Sequence, residues 1–234
     1  MTTPETPHLA PAAPTAAHPL AGLTVLVVED SRYASEAVRL LCLRSGARLR
    51  RADSLTAADR HLRVYRPSVL IVDAGLPDGS GIDLIARLAD ARPRIPAILA
   101  TSGDPDALRD ACLAGADGVL PKPLRALADF QQAVLAALPA DLRVQGPRAL
   151  PDDTVDPDRL TLLEDLEHVV DALEDDLPPR RLDYLARFLS GLAASTGDAG
   201  LAAAAARLGS GRHLGDVAEV ACLVQERLAR RAAV

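Results

Sequence analysis

Five short apolar segments alternate with amphipathic segments between residues 23 and 138, and this alternation restricts the fold more than any other feature. The apolar segments indicate buried strands, and the segments between them carry apolar residues at helical spacing. Repeated strand–helix units favour a parallel sheet with helices on both faces. We therefore predict an α/β domain with a flavodoxin-like, doubly wound five-stranded parallel sheet. The predicted strands are 23–28, 47–53, 68–73, 95–101 and 117–121, and the predicted helices are 31–46, 54–66, 81–91, 104–116 and 124–138.

The sequence on either side of this domain has a different character. Residues 1–21 are rich in Pro and Ala with almost no charge, which predicts a disordered lead-in, and the α/β domain then spans 22–139. Prolines and glycines without periodicity predict a linker over 140–156. Beyond it, helical periodicity predicts a C-terminal all-α four-helix bundle over 157–234. Its helices are expected at 157–176, 179–195, 198–208 and 213–231.

Composition and charge restrict the location and the partners. No apolar run approaches the ~20 residues that a membrane helix needs, and the N-terminus lacks the features of a secretory signal. Cys42, Cys112 and Cys222 lie on apolar helical faces without C-x-x-C spacing, so we expect buried free thiols and a cytoplasmic protein. Residues 151–234 carry 9 basic and 16 acidic side chains, a net charge of −7, which argues against binding to nucleic acid.

Polar side chains follow the predicted strands at their carboxyl ends. Glu29 and Asp30 follow the first strand, and Asp73 ends the third. Because the carboxyl ends of parallel strands meet at one edge of the sheet, we expect these three carboxylates to lie together. They would repel one another without a counter-charge, and a hard divalent cation such as Mg²⁺ supplies it.

Lys122 follows the fifth strand and is the only lysine in a chain with 25 arginines. A lysine ammonium is a compact, mobile point charge, whereas arginine presents a wide planar fork. We therefore expect Lys122 to reach an oxygen atom added to one of the carboxylates, in a slot that a guanidinium would not fit.

These residues resemble the receiver domain of two-component response regulators over residues 22 to 138. The matching features are Glu29-Asp30, Asp73 followed by Pro77 and Gly81, Thr101, and Lys122-Pro123. The resemblance implies that Asp73 takes a phosphoryl group from the phosphohistidine of a sensor histidine kinase or phosphotransfer protein, and that Thr101 and Lys122 bind the phosphoryl oxygens. It implies that Mg²⁺ is held by Asp30, Asp73 and the Gly75 carbonyl, with Glu29 acting through water. It also implies a cis Lys122-Pro123 bond and no enzymatic activity beyond the domain's own phosphorylation and dephosphorylation.

Two departures from the family pattern affect this interpretation. Val119 stands where an aromatic residue commonly rotates on phosphorylation, so coupling to the output face would differ. The loop after Thr101 is one residue short, so Ser102 is an alternative for the hydroxyl role. A simpler alternative for the acidic pair is that Asp30 or Ser31 only caps the first helix.

The helical region resembles the histidine phosphotransfer domain over residues 156 to 232. Alignment on Gly191 places Arg187 where the phosphoacceptor histidine would be and Ser190 where a lysine would be, which implies a degenerate member. His168 remains as an unorthodox acceptor, on a face predicted to be solvated, with Thr161, Glu164, Asp165 and Asp175. His213 is expected to begin a helix.

These observations favour a cytoplasmic response regulator of a two-component phosphorelay. Its helical region would act through protein contacts: homodimerisation, docking on a kinase or receiver, or masking of its own receiver. One alternative is an active phosphotransfer protein that relays phosphate through His168, and another, disfavoured by charge, is a DNA-binding transcriptional regulator. No membrane or nucleic-acid partner is expected.

Overall fold

The structure, a computed structural model, describes residues 13–144, 146, 148–174, 178–210 and 214–232. Its strands are β1 (Thr24–Val28), β2 (Arg48–Ala52), β3 (Val69–Asp73), β4 (Gly75–Leu76), β5 (Gly79–Ser80), β6 (Ala97–Ser102) and β7 (Gly118–Pro121). Five of them form one parallel sheet in the order β2-β1-β3-β6-β7, and β4 and β5 form a small antiparallel hairpin. The flavodoxin-like sheet is as predicted, whereas the sequence predicted only a loop at the hairpin.

Five helices cover the two faces of this sheet. They are α1 (Arg32–Ser45), α2 (Leu55–Val64), α3 (Gly81–Ala89), α4 (Pro105–Leu113) and α5 (Leu127–Ala137). The serines that precede α1, α2 and α3 each accept a hydrogen bond from a backbone amide of the first turn, and so define where these helices begin. Gly46 ends α1 in the left-handed conformation, at φ 81°.

The side chains of β1 show why the sheet needs helices on both sides. Val25 and Val27 pack with α1 and α5, whereas Leu26 and Val28 pack with α2, α3 and α4. Successive residues of a strand point to opposite faces, so an uninterrupted apolar strand must be covered twice.

The segments predicted as lead-in and linker are partly packed against this domain. Leu20 is buried, and its amide donates to the carbonyl of Ser45. The expectation of disorder through residue 21 is therefore wrong for its last residues. Within the predicted linker, Ala140–Leu142 form a 3-10 helix and Val155 is buried against the α/β core. The backbone at Thr154 pairs with Ala126, so the end of this segment is attached rather than free.

The C-terminal region is helical. It contains α6 (Arg159–Glu174), α7 (Pro179–Thr196), α8 (Ala199–Ser210) and α9 (Leu214–Ala232). Helix α7 packs on α8, and α9 packs on both α6 and α8 around an apolar core. Members of that core include Leu166, Val169, Leu185, Leu189, Leu192, Leu201, Val220 and Val224. Among the described residues, no helix combines the length and the hydrophobicity that crossing a membrane requires.

Two of the three cysteines are exposed, whereas the sequence predicted that all three would be buried. Cys42 lies in the core, and burial raises the pKa of its thiol to about 12. Cys112 and Cys222 are free and exposed. Val220 and Val224, two residues before and two residues after Cys222, are both buried. Positions two residues apart in a helix differ by about 200° around its axis, so Cys222 lies on the opposite, exposed face.

The helical region lies directly on the α/β domain. Helices α6 and α7 contact α1, and α7 also contacts β4. Tyr33, from the first turn of α1, is buried in the apolar core of the helical region. The two halves of the chain therefore share a packed interface at the carboxyl edge of the sheet.

Candidate functional site

Three acidic residues meet at the carboxyl edge of the sheet, as the sequence predicted. Glu29 and Asp30 follow β1, and Asp73 ends the neighbouring strand β3. One carboxylate oxygen from each lies within 4.8 Å of the other two. This arrangement can hold a small cation between the loops that follow adjacent strands.

Lys122 projects into this cluster from the end of β7. Its Nζ lies 2.8 Å from Glu29 Oε2 and 2.6 Å from Asp73 Oδ2, and its side chain is only 3% exposed. Burial lowers the pKa of Lys122, but the Asp73 and Glu29 carboxylates outweigh it and raise the pKa above the usual value. The ammonium is therefore held charged inside the site. The Lys122-Pro123 peptide bond is cis, as the resemblance implied.

The single ammonium does not compensate all three carboxylates. Burial, followed by repulsion from Asp73, raises the pKa of Glu29 well above the usual value. Burial also raises the pKa of Asp30 to about 7, although a hydrogen bond from Tyr184 opposes the shift. The cluster therefore has an excess of negative potential that a further cation would relieve.

The donor set fits a magnesium ion. Its groups are carboxylate oxygens, the ligands that this hard cation prefers, and they are spaced so that one ion can contact all three residues. Glu29, Asp30 and Asp73 are the residues that would hold it, and the Gly75 carbonyl remains an expected fourth ligand.

The residues that follow Asp73 shape its surroundings. The Gly75 amide donates to Asp73 Oδ1 at 3.2 Å. A Cβ atom on Gly81 would lie 1.8 Å from the Asp73 carbonyl oxygen, so no other residue fits there without moving the backbone. This close approach gives a physical reason for the glycine in the DAGLPDGSG segment.

The two candidate hydroxyl residues occupy different positions. Thr101 is in register with Asp73 on the neighbouring strand, but its hydroxyl is fully buried and donates to the Leu120 carbonyl at 2.9 Å. Ser102 lines the cavity at Asp73, and its Oγ accepts from the Asp104 amide. Thr101 would have to rotate to reach that cavity, whereas the Ser102 hydroxyl already borders it.

Helix α7 covers the site, an arrangement that corresponds to masking, one of the three alternatives that the sequence left open for the helical region. The Tyr184 hydroxyl donates to Asp30 Oδ2 at 2.7 Å. Burial and the adjacent Asp30 carboxylate raise the pKa of Tyr184 above its usual value, so the phenol keeps its proton. A residue of the helical region thereby contacts a candidate metal ligand.

Three more residues of α7 approach loops of the α/β domain, all on the same face of the helix. A Cβ on Gly75 would lie 3.8 Å from Arg187, one on Gly191 would lie 3.5 Å from Lys122 Nζ, and one on Gly103 would lie 2.6 Å from the Ala194 Cβ. Tyr184, Arg187, Gly191 and Ala194 follow helical spacing and are called the contact stripe below. Its small residues let α7 lie close against the loops that follow β3 and β6.

Asp165 fixes the neighbouring helix α6 to the α/β domain. Its Oδ2 accepts from Ser31 Oγ at 2.7 Å and from the Tyr33 amide at 3.0 Å, and its Oδ1 accepts from the Arg32 amide at 2.8 Å. These contacts satisfy the first turn of α1, where backbone amides have no partner within the helix. The prediction that Asp165 is solvated is therefore wrong, since it is buried. Burial raises its pKa, against the hydrogen bonds that it accepts.

The Ser31 side chain does cap α1, as the simpler alternative proposed, while Asp30 belongs to the acidic cluster.

His168 is exposed, as predicted, and its ring meets Phe188 edge-on, with centroids 5.7 Å apart. Asp73 and Arg187 line one cavity of about 530 Å³, and His168 is not among the residues around it. Asp175 and His213 lie outside the described residues.

Comparison with known proteins identifies the α/β domain. Residues 25–134 match the family model described as the response regulator receiver domain, with Asp73 and its carboxylate and lysine neighbours inside the matched range. Residues 25–134 are therefore a response regulator receiver domain. The features cited for the resemblance lie in the same region of the sequence.

Curated relatives match over the same half of the chain. The probable transcriptional regulatory protein TcrX of Mycobacterium tuberculosis is 35% identical over 102 residues, covering 43% of this chain and 44% of that protein. The virulence transcriptional regulatory protein PhoP of Salmonella typhimurium is 32% identical over 103 residues, covering 43% of this chain and 46% of that protein. The chain thus spans about half the length of the curated relatives that it matches.

Solved structures of receiver domains are also similar. The signal receiver domain of a signal transduction histidine kinase from Syntrophus aciditrophicus is 23% identical, with a TM-score of 0.46, over 54% of this chain and 98% of that one. The signal receiver domain of a modulated diguanylate cyclase from Desulfovibrio desulfuricans is 27% identical, with a TM-score of 0.43, over 49% of this chain and 92% of that one.

Proposed function

We propose that this chain is a cytoplasmic response regulator in which Asp73 accepts a phosphoryl group and the helical region responds to it. The observation that carries this proposal is the placement of Asp73 beside Glu29, Asp30 and Lys122 at the carboxyl edge of a receiver domain. The Asp73 carboxylate is the nucleophile, and its side chain keeps 12% exposure, so a small donor molecule can reach it.

The residues around Asp73 supply the electrostatics of the transfer. Glu29, Asp30 and Asp73 would hold Mg²⁺, which would supply positive charge against the negative charge of the transferred group. Lys122 is already 2.6 Å from Asp73 and would pair with an oxygen of the new phosphoryl group. Either Thr101, after rotation, or Ser102 donates a hydrogen bond to that group. The domain catalyses its own phosphorylation and dephosphorylation and has no other substrate.

We propose that the helical region is a degenerate four-helix phosphotransfer bundle. Arg187 stands at the aligned acceptor position and contacts the receiver, but a guanidinium does not take up a phosphoryl group from an acyl phosphate. The region therefore acts by contact with its own receiver. A phosphoryl group added under α7 brings new charge into the interface and shifts the balance between docked and released arrangements.

A DNA-binding regulator remains the second candidate, because the relatives TcrX and PhoP are named as transcriptional regulators. They match this chain only over its receiver half. The rest of this chain carries a net charge of −7, which opposes binding to the phosphate backbone. Specific retention of a DNA fragment at physiological salt in a gel-shift assay would favour this candidate.

The proposal is tested by incubating the full chain with phosphoramidate and Mg²⁺ and measuring the intact mass. We expect addition of one phosphoryl group to the wild type and none to Asp73→Asn. Asn keeps the shape of the side chain but is not a nucleophile. Labelling of both proteins, or of neither, would refute Asp73 as the acceptor.

A further inference from the structure

The contact stripe on α7 occupies the space through which a phosphodonor protein must approach Asp73. A histidine side chain is short, so a protein that carries phosphohistidine has to bring its own backbone close to Asp73. In the structure that space holds Gly191 beside Lys122, Arg187 beside Gly75 and Ala194 beside Gly103. A second backbone cannot enter while α7 remains docked.

The covered site is still open to small molecules. The cavity at Asp73 has a volume of about 530 Å³ and extends between the receiver loops and α7. Lys122 from the receiver and Arg187 from the helical region both line it. A small phosphodonor therefore fits a space that a folded protein does not enter. Six carboxylates, from Glu29, Asp30, Asp73, Asp104, Asp106 and Asp110, line this space together with the two cationic side chains.

We infer that the docked helical region selects the phosphodonor by size, admitting small phosphodonors and excluding protein phosphohistidine until α7 moves away. The inference rests on the proposed function, since it needs Asp73 as the acceptor. With phosphoramidate, an Asp73 oxygen forms a bond to phosphorus while the P–N bond breaks. The protonated nitrogen leaves with the bonding pair as neutral ammonia, and Asp73 becomes an acyl phosphate.

A larger side chain introduced into the interface distinguishes the two classes of donor. Ala194 faces Gly103 across a gap with no room even for a methyl group on the glycine, and it lies outside the apolar core of the helical region. Ala194→Leu therefore forces α7 from the receiver and leaves the residues of the site unchanged. Overpacking of this kind shifts a docking equilibrium by roughly tenfold or more. Ala202→Leu, on the exposed face of α8, is the matched control.

The experiment labels four full-length proteins: the wild type, the two leucine variants and Asp73→Asn. The donors are phosphoramidate with Mg²⁺ and a phosphotransfer domain phosphorylated on its histidine. We expect phosphoramidate to label the wild type and both leucine variants at rates within about twofold, because the small donor already reaches Asp73. We expect the protein donor to label Ala194→Leu about tenfold faster than the wild type or Ala202→Leu, because the rate follows the released fraction.

Each outcome separates the inference from the function on which it rests. Equal labelling of the wild type and Ala194→Leu by the protein donor, including no labelling of either, overturns the size selection. A misfolded receiver would lose its reaction with phosphoramidate, so that reaction reports on the fold of each variant. If phosphoramidate fails to label the wild type, or also labels Asp73→Asn, the proposed function itself is wrong.

Discussion

Asp165→Asn should release the helical region from the receiver while leaving every residue of the acidic cluster in place. Asp165 Oδ2 accepts two hydrogen bonds and Oδ1 accepts one, all from the first residues of α1. Asn offers one acceptor oxygen and no charge, so at least one bond is lost and the others weaken. Hydrogen bonds to a charged group are worth about 1 kcal/mol more than neutral ones, so the docked state should lose about 2 kcal/mol.

The amides of Arg32 and Tyr33 report this change. The first bond within α1 is donated by Ser35, so the described structure gives these two amides only the Asp165 carboxylate as a partner. Their hydrogen exchange, followed by NMR, should accelerate roughly thirtyfold in Asp165→Asn, which is the equivalent of about 2 kcal/mol. Asp171→Asn, at an exposed position of the same helix, should leave them unchanged. If both amides exchange in the wild type as fast as in Asp165→Asn, persistent docking is refuted.

Three further predictions concern the site and the helical region. Tyr184→Phe frees Asp30 Oδ2, so calorimetry should show Mg²⁺ binding tighter by on the order of tenfold. The control Tyr65→Phe should leave Mg²⁺ binding unchanged, because the buried Tyr65 hydroxyl has no hydrogen-bond partner among the described residues. Weaker Mg²⁺ binding by Tyr184→Phe than by the wild type would contradict the reasoning. Lys122→Gln should lower the free energy of unfolding in urea by about 3 kcal/mol, because Glu29 and Asp73 lose their buried partner; an unchanged midpoint would disprove this. Hydrogen bonds from Arg227 lower the pKa of Asp198 to about 2, so the ion pair stabilises the fold above pH 4 and is lost as the pH falls towards 2. Asp198→Asn should remove this part of the acid sensitivity, as measured by circular dichroism.

The sequence predicted the receiver fold because its determinants are local. The apolar run in β1 and the serine caps of α1–α3 act within a few residues, and parallel topology then brings Asp73 beside Glu29 and Asp30 without further information. The small hairpin β4–β5 was missed because two-residue strands leave no periodic signal.

The interface between the halves could not be predicted in the same way. Asp165 follows Glu164 on an acidic stretch of α6, and nothing in that pattern indicates which carboxylate is buried. Its partners lie more than 130 positions away, at 31–33. Tyr184 likewise meets Asp30 only because α7 has small residues at positions 191 and 194. Such contacts depend on the shapes of two packed surfaces, which periodicity does not encode. The choice between Thr101 and Ser102 depends on side-chain orientation and was equally inaccessible.

The identity of the phosphorylated residue can be read from the protein itself. After treatment with phosphoramidate and Mg²⁺, borohydride reduces an aspartyl phosphate to homoserine, and peptide mass spectrometry then locates the modified position. Homoserine at position 73 alone is the expected result. Conversion at Asp30 with Asp73 intact, or phosphate retained on His168, would show that the acidic cluster does not work as described.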